Sequence, residues 1–272
     1  MKQGLLKSVG IYTAWIVSLF FFLFPLFWVL SVSLKPALLA FKYPPVWLFR
    51  PTFEHYLGLE SAYLASLKNS AIVTAGTITL SMLIGVPAAY GLTRGRLRIS
   101  TPLFSWTFFV RMAPGMIFVI PFFVIYRHIG LTDTYLGLII LYMIFNLPLV
   151  LGSMVAYFSS LSVEMEEAAL VDGATKHQVF FHIVLPLTTP GLTATAILCF
   201  LFSWNQFFFA LIFSRTSTRT APVAIMNFIR YEGIDWGSLS AGVILLIIPV
   251  IVFAVLIRRY LVQGLTAGAL KE

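Results

Sequence analysis

His177 and His182 are the closest pair of imidazoles in this chain, and they stand five residues apart. Two metal ligands on one helical face need the i, i+4 spacing, so the pair does not spell a metal site. His55 and His128 are remote from both, and no nucleophile–base pair is spelled out. The single Cys199 lies inside an apolar run, which excludes a disulfide framework and makes it a small buried apolar residue. No G-x-x-x-x-G-K-[ST] sequence occurs, and no Lys follows a Gly, so nucleotide chemistry is absent from this chain. No enzyme activity and no resident cofactor or metal are expected.

The other residues able to do chemistry are polar groups stranded in apolar surroundings. Arg111, followed by Pro114-Gly115, is the one basic residue well inside a greasy run. A charge there costs about 2.5–3.5 kcal/mol at mid-helix unless it is paired or faces water. It reads either as a cavity or gate residue, or as an arginine snorkelling to the headgroups. Asn146, Trp204, Asn205 and Gln206 are further candidates for a solute path, since planar polar groups with aromatics suit sugars. The alternative for each is interhelical hydrogen bonding.

These residues need helices to hold them. The chain is 60% hydrophobic and 10% charged over 272 residues, against roughly 25% charged in a soluble domain. Six apolar runs are long enough to span: 11–34, 70–93, 103–126, 135–158, 191–213 and 239–260. Lipid offers no partner to an open backbone, so all six are expected as helices in an all-α membrane protein. The first run is too long for a signal-peptide core and ends without a small-x-small site, so it reads as an uncleaved span. The net charge of +8 is not one nucleic-acid-binding block; many basic residues flank the runs as anchors. Lys and Arg divide almost evenly between the two sides. The clusters Arg94/Arg96/Arg98 and Arg258/Arg259 abut span ends and favour cytoplasmic N- and C-termini. The organisation is then 1–69 (first span and external loop), 70–260 (five-helix core with cytoplasmic loop 159–190) and 261–272 (tail).

The loop 159–190 has its own helical pattern. Ser162 is placed to cap a helix whose first turns carry Glu164, Glu166 and Glu167, which suits the helix dipole. Met165, Ala168 and Ala169 share one face, and Asp172-Gly173 is a stop. Thr175 and Gln178 spell a capping box for a second helix with Phe180, Ile183 and Val184 on its apolar face, ending at Pro186 and Pro190. Helix–Gly turn–helix can be a docking element, or a surface element packed only on its own spans.

Glu167-Ala168-Ala169, Gly173, Ile183 and Leu185-Pro186 stand in a spacing that matches, without a gap, the E-A-A loop of ABC importer permeases. Further stretches resemble the carbohydrate-uptake branch, relatives of the maltose permeases: Ser33-Leu34-Lys35-Pro36, Pro87 to Arg94, Gly130 to Leu138, Ser203 to Phe207 and Arg259 to Lys271. The chain is most similar to the shorter, six-span partner of a two-permease pair, and departs at Ser162, where the family often has Pro. The resemblance implies the type I ABC importer permease fold. It implies that Glu166, Glu167, Ala168, Ala169, Asp172, Gly173, Ala174, Phe180, Leu185 and Pro186 form a coupling helix region against a cytoplasmic ATPase. Gly264, Leu265, Thr266 and Gly268 would reach into the ATPase dimer; without the resemblance they are a polar, Gly-rich end that does not extend the last helix. Implied partners are a second permease subunit, a dimer of ATPases binding ATP and Mg, an extracytoplasmic solute-binding protein and membrane lipid, with no nucleic acid. The implied function is import of a sugar, polyol or related solute across the bacterial or archaeal cytoplasmic membrane. A same-fold permease for glycerol phosphate or a polyamine is one alternative, although no acidic residue in the spans awaits a cation. An ion-coupled secondary transporter is another, and it lacks the expected acidic or broken-helix ion sites and inverted repeats.

Overall fold

The computed structural model describes residues 2–40, 42–95, 102, 105, 109, 111–231 and 233–269, the side chains at 2–7, 9 and 256–269 excepted. Its principal helices are α1 Lys2–Ser33, α2 Ser61–Arg94, α3 Gly115–His128, α4 Tyr135–Ser159 and α5 Val163–Val171, then α6 Lys176–Leu187, α7 Thr189–Trp204, α8 Phe208–Phe213 and α9 Trp236–Ala269. The expectation of an all-α chain needs one small correction. Ile229–Arg230 and Gly233–Ile234 pair as a two-residue antiparallel ladder.

Among the described residues, four helices are long and apolar enough to cross a membrane: Gly10–Ser33, Ser61–Arg94, Tyr135–Ser159 and Trp236–Val255. A fifth arises if α6 and α7, bent by 73° at Thr188, are taken as one span. Pro190 has no N–H to close the ladder at this bend. The hydroxyl of Thr189 donates to the Pro186 carbonyl at 2.8 Å and so satisfies the acceptor that Pro190 leaves free, while the Val184 carbonyl takes both the N–H and the hydroxyl of Thr188 at 3.0 and 2.9 Å.

The six runs are more interrupted than composition implies. The second begins at Ser61, nine residues before the expected start, because the Ser61–Asn69 segment continues the same helical turn. Part of the third (103, 104, 106–108 and 110) lies outside the described residues. Its described portion breaks at Ala113-Pro114, since the residue before Pro is pushed out of the helical region, and helix resumes at Gly115. The fifth is not one helix from 191 to 213. α7 stops at Trp204, Asn205 to Phe207 turn, and α8 restarts at Phe208. The tail also departs from expectation: the backbone stays helical to Ala269, so Gly264 and Gly268 do not end α9. Each Gly costs only about 1 kcal/mol relative to Ala, and the Leu, Ala, Val and Gln around them are tolerated in a helix.

The chain falls into two compact units, each with its own packing. In the first, 1–64 with 224–249, Tyr63 packs on Phe228 and donates its hydroxyl to the Gly242 carbonyl at 2.6 Å. Lys35 is 1% exposed, yet its ammonium lies 4.9 Å from the Trp28 ring centre and 5.3 Å from that of Phe49. Ring faces here stabilise a buried cation. Asp235 caps α9 by accepting from the Ser238 N–H at 3.1 Å. Burial alone raises its pKa, but the hydrogen bonds from Ser238 and the charges of His55 and Arg230 outweigh that and hold it low.

In the second unit, 65–223 with 250–272, α4 and α7 are the central pair. A Cβ added to Gly191 would lie 2.4 Å from the Tyr157 ring, so only Gly lets α7 start against α4. Two apolar clusters result. One holds Leu151, Met154, Phe158, Val179, Phe180 and Cys199. The other holds Val73, Leu141, Tyr142, Phe209 and Phe213. Asp133, at φ 56°, ties two connections together. Its carboxylate accepts from the backbone N–H groups of Arg215, Ser217 and Thr218 and from the Thr218 hydroxyl. Partial burial pushes its pKa up, but these four donors prevail and leave it below the ordinary carboxylate range.

Candidate coupling surface and transport cavity

The helix–turn–helix read from residues 162–186 is present, with its punctuation in place. Gly173 takes φ +90°, its N–H reaches the Leu170 carbonyl at 3.1 Å, and the Ala174 N–H reaches Ala169 at 3.0 Å. These two bonds form a Schellman stop. Thr175 and Gln178 form a reciprocal capping box, with backbone-to-side-chain bonds of 2.8 and 3.3 Å. Two local expectations change. Ser162 occupies the N-cap position, but its hydroxyl donates to the Glu164 carboxylate and accepts nothing from the backbone. The second helix widens to a π-turn over Phe180–Val184 before Leu185. A π-bulge of this kind re-aims the side chains that follow it.

The residues expected to meet a partner divide by direction. Glu167, Ala168, Asp172, Gly173 and Pro186 are exposed; Ala169, Ala174 and Leu185 are half-buried. Glu166 and Phe180, expected with the others in the coupling region, turn inward. Phe180 packs on Tyr90 with ring centres 4.8 Å apart, inside the apolar cluster. Glu166 is 7% exposed and receives the Arg94 Nε–H at 2.8 Å and the Tyr90 hydroxyl at 2.7 Å. The guanidinium of Arg94 also donates to the carbonyls of Phe158 and Leu161 at 2.9 and 3.1 Å. One arginine thus joins the end of α2, the end of α4 and α5. A cation at the C-terminal carbonyls of α4 also suits its dipole.

Sequence reasoning used Arg94 as an orientation signal and as the end of a family-like stretch, and missed this junction. The available signal was Tyr90 and Arg94 at i, i+4, on one face of a helix end, with an adjacent Glu pair later in the chain. It also missed the apolar part of the exposed face: Val171 is 86% exposed, Phe181 47% and Leu170 40%. Exposed apolar residues beside Glu167 and Ala168 are what a docking surface presents.

Three of the five residues proposed for a solute path come together. Arg111, Asn146 and Gln206 line one cavity of about 360 Å³, with Tyr142, Phe145 and Phe202 among its walls. The break at Asn205 to Phe207 makes this possible, because it exposes backbone that a continuous helix would hide. Tyr142 donates its hydroxyl to the Gln206 carbonyl at 3.3 Å. Asn146, 3% exposed, donates its amide to the Tyr142 carbonyl at 2.9 Å and the Ser203 hydroxyl at 3.1 Å. Because a carbonyl must receive a donor, this fixes which amide atom is nitrogen. The Asn146 Oδ1 is left with no partner among the described residues. Trp204 and Asn205 are not in the cavity wall. Trp204 is buried and stacks on Phe200, and the Asn205 amide folds back to the Leu201 carbonyl at 2.8 Å. No group of three or more His, Cys, Asp or Glu able to hold a metal occurs among the described residues.

Long apolar helices, an apolar run broken beside a cavity lined by Arg111, Asn146 and Gln206, and a capped helix–turn–helix are parts that a transport permease needs. Residues 81–267 match the family described as binding-protein-dependent transport system inner membrane component. The chain is 37% identical over 254 residues to the trehalose transport system permease protein of Mycobacterium tuberculosis, covering 92% of each. It is 35% identical over 283 residues to the trehalose/maltose transport system permease protein of Thermococcus litoralis, covering 100% of this chain and 99% of the relative. Among solved structures it is similar to a chain of a bacterial ABC transporter involved in the import of the acidic polysaccharide alginate. That match has a TM-score of 0.76 and 26% identity, covering 93% of this chain and 96% of the other. The chain belongs to the binding-protein-dependent transport system inner membrane component family. It has the type I importer permease fold and is a multi-pass protein of the cytoplasmic membrane.

Proposed function

We propose that this chain is the membrane-spanning permease subunit of an ATP-driven importer for a sugar, polyol or related solute. The observation that carries this is the coupling loop, in which an exposed Glu167–Ala168 and Val171 face stands on a helix closed by the Gly173 stop and tied inward through Glu166 to Arg94. The trehalose, maltose and alginate systems named above support a carbohydrate as cargo. The working unit pairs this chain with a second permease subunit, two cytoplasmic ATPase subunits that bind ATP and Mg, and an extracytoplasmic binding protein. Six spans, counting the segment that contains α3, put both termini in the cytoplasm. Residues 70–260 form the transporting core, and the segment holding Gly264, Leu265, Thr266 and Gly268 reaches the ATPases. ATP closes the ATPase dimer and displaces α5. Arg94 carries that displacement to α2 and α4, and the cavity at Arg111, Asn146 and Gln206 opens toward the binding protein.

The test is Gly173→Pro in the reconstituted four-component complex. Pro fixes φ near −65°, which the +90° position does not accommodate. Assembly is expected to persist, while solute uptake and solute-stimulated ATP hydrolysis fall together. Uptake and stimulation at the unaltered level would end the coupling reading.

A further inference from the structure

We propose that Arg111 is an anion checkpoint on the solute path, and that the cargo is an acidic sugar whose carboxylate, sulfonate or phosphate meets its guanidinium. This rests on the reading of the chain as a permease with its path through the Arg111 cavity.

None of the ten acidic residues in the sequence falls within an apolar span. Among the described residues Arg111 forms no ion pair, and the face of the Phe202 ring lies 5.0 Å from its guanidinium carbon. A ring face attracts a cation but does not neutralise it. Arg111 also has a singular position. It lines the cavity of about 360 Å³ with Asn146 and Gln206, and a second one of about 540 Å³ with Met112, Leu149, Gly152 and Ser153. It is the residue common to both lining sets. On α4 the two sets occupy successive turns, 142–146 and then 149–153, so a solute moving along this helix passes Arg111 between them.

The rest of the first cavity completes the recognition. The unpartnered Asn146 Oδ1 is a buried acceptor that calls for a hydroxyl donor. Phe145 and Phe202 offer flat faces to the C–H side of a pyranose. A neutral sugar would satisfy Asn146 and leave the guanidinium uncompensated whenever water is expelled around it. An acidic sugar satisfies both, and its anion accepts the forked guanidinium bonds that Arg makes best. The same positive charge repels cationic solutes, as arginines do in other selective pores.

The experiment uses the full complex in proteoliposomes with five probes: trehalose, maltose, a uronate disaccharide, a hexose 6-phosphate and a hexose 6-sulfonate. Uptake and stimulated ATP hydrolysis are measured for the native chain, Arg111→Gln and Arg111→Lys. The inference expects an acidic probe to be taken up in preference to the neutral ones. It also expects Arg111→Gln to lower kcat/KM for that probe by roughly thirtyfold or more, the size of a lost desolvated charge pair, with Arg111→Lys recovering part of it. Stimulation by a neutral probe and none of the acidic ones overturns the inference and leaves the importer reading intact. So does an acid-to-neutral preference unmoved by Arg111→Gln. Equal losses for acidic and neutral probes in Arg111→Gln also overturn it, assigning the counter-charge to the companion permease or a lipid headgroup. Failure of all five probes removes the sugar-importer reading itself.

Discussion

Replacing Arg94 by Met should loosen α5 from the helices it is built on, and the size of the effect follows from the geometry. The side chain of Arg94 is 18% exposed and that of Glu166 9%. Met keeps most of the apolar stem and removes the Nε–H bond to Glu166 at 2.8 Å together with the bonds to Phe158 and Leu161. Breaking a buried pair from one side costs about 3–5 kcal/mol, because the remaining charge is stranded. The lower end applies here, since Tyr90 still donates to Glu166 and the junction lies near the end of its helices. At 1.4 kcal/mol per tenfold, about 3 kcal/mol is an increase of about a hundredfold in the open population. Cys199 reports this population directly. It is the chain's single thiol, it is 0% exposed, and it lies in the cluster with Phe158 and Phe180. Labelling by a thiol reagent, under conditions where closing outruns reaction, should accelerate about a hundredfold in Arg94→Met. Glu166→Gln should give a smaller rise, because its amide oxygen still accepts one of the two donors. The double variant should fall short of the summed effects by about 1–2 kcal/mol, since no unpaired charge remains. Labelling of Arg94→Met within threefold of the native rate, or strict additivity in the double variant, would refute the argument that the pair is a buried junction.

Three further outcomes are expected. Gly191→Ala should destabilise the chain by about 1–3 kcal/mol through overpacking on Tyr157, and Tyr157→Leu in the same chain should recover part of that in a thermal unfolding assay. For Asp133, the native pKa lies below the unfolded value near 3.9, so its stabilisation is complete above the unfolded value and is lost as pH falls through the native one. Amide exchange at Arg215, Ser217 and Thr218, corrected for intrinsic rate, should therefore stay slow from neutral pH to about 4 and quicken below it. Asp133→Asn should quicken exchange most at Ser217 at neutral pH, because Ser217 donates to Oδ2 while Arg215 and Thr218 share Oδ1, and an amide side chain accepts at one atom only.

What was legible in the sequence was local. The Gly173 stop and the Thr175–Gln178 box depend on residues three or four apart, and both stand where the spacing placed them. The apolar runs were legible because lipid leaves the backbone no other solution, but their interruptions were not. Hydropathy averages over Pro114 and over Asn205 to Phe207, while the backbone bends at each. The cavity was half legible: Arg111, Asn146 and Gln206 each stand out as polar residues in greasy surroundings. That the three share one wall while Trp204 and Asn205 turn elsewhere depends on how α4 meets the broken α7–α8. The junction at Arg94 was illegible for the same reason. Its partners come from three segments, and no periodicity in one of them specifies the others. Both carboxylates of the Glu166-Glu167 pair look alike in a linear reading, although one turns to the interior and its neighbour to the surroundings.

The locked turn between α5 and α6 has a consequence for which chain lengths this loop can tolerate. Each helical residue advances the side-chain direction by about 100°. With Gly173 and Thr175 clamping the turn at both edges, one extra residue between Asp172 and Lys176 could not be taken up as slack. It would instead rotate α6 about its own axis relative to α5. Val179, Phe180 and Val184 would leave the apolar cluster, and polar neighbours such as Gln178 and His182 would be carried toward it. The loop therefore behaves as a phase lock: substitutions along its outer face are tolerated one at a time, whereas a single insertion or deletion disturbs every buried position beyond it.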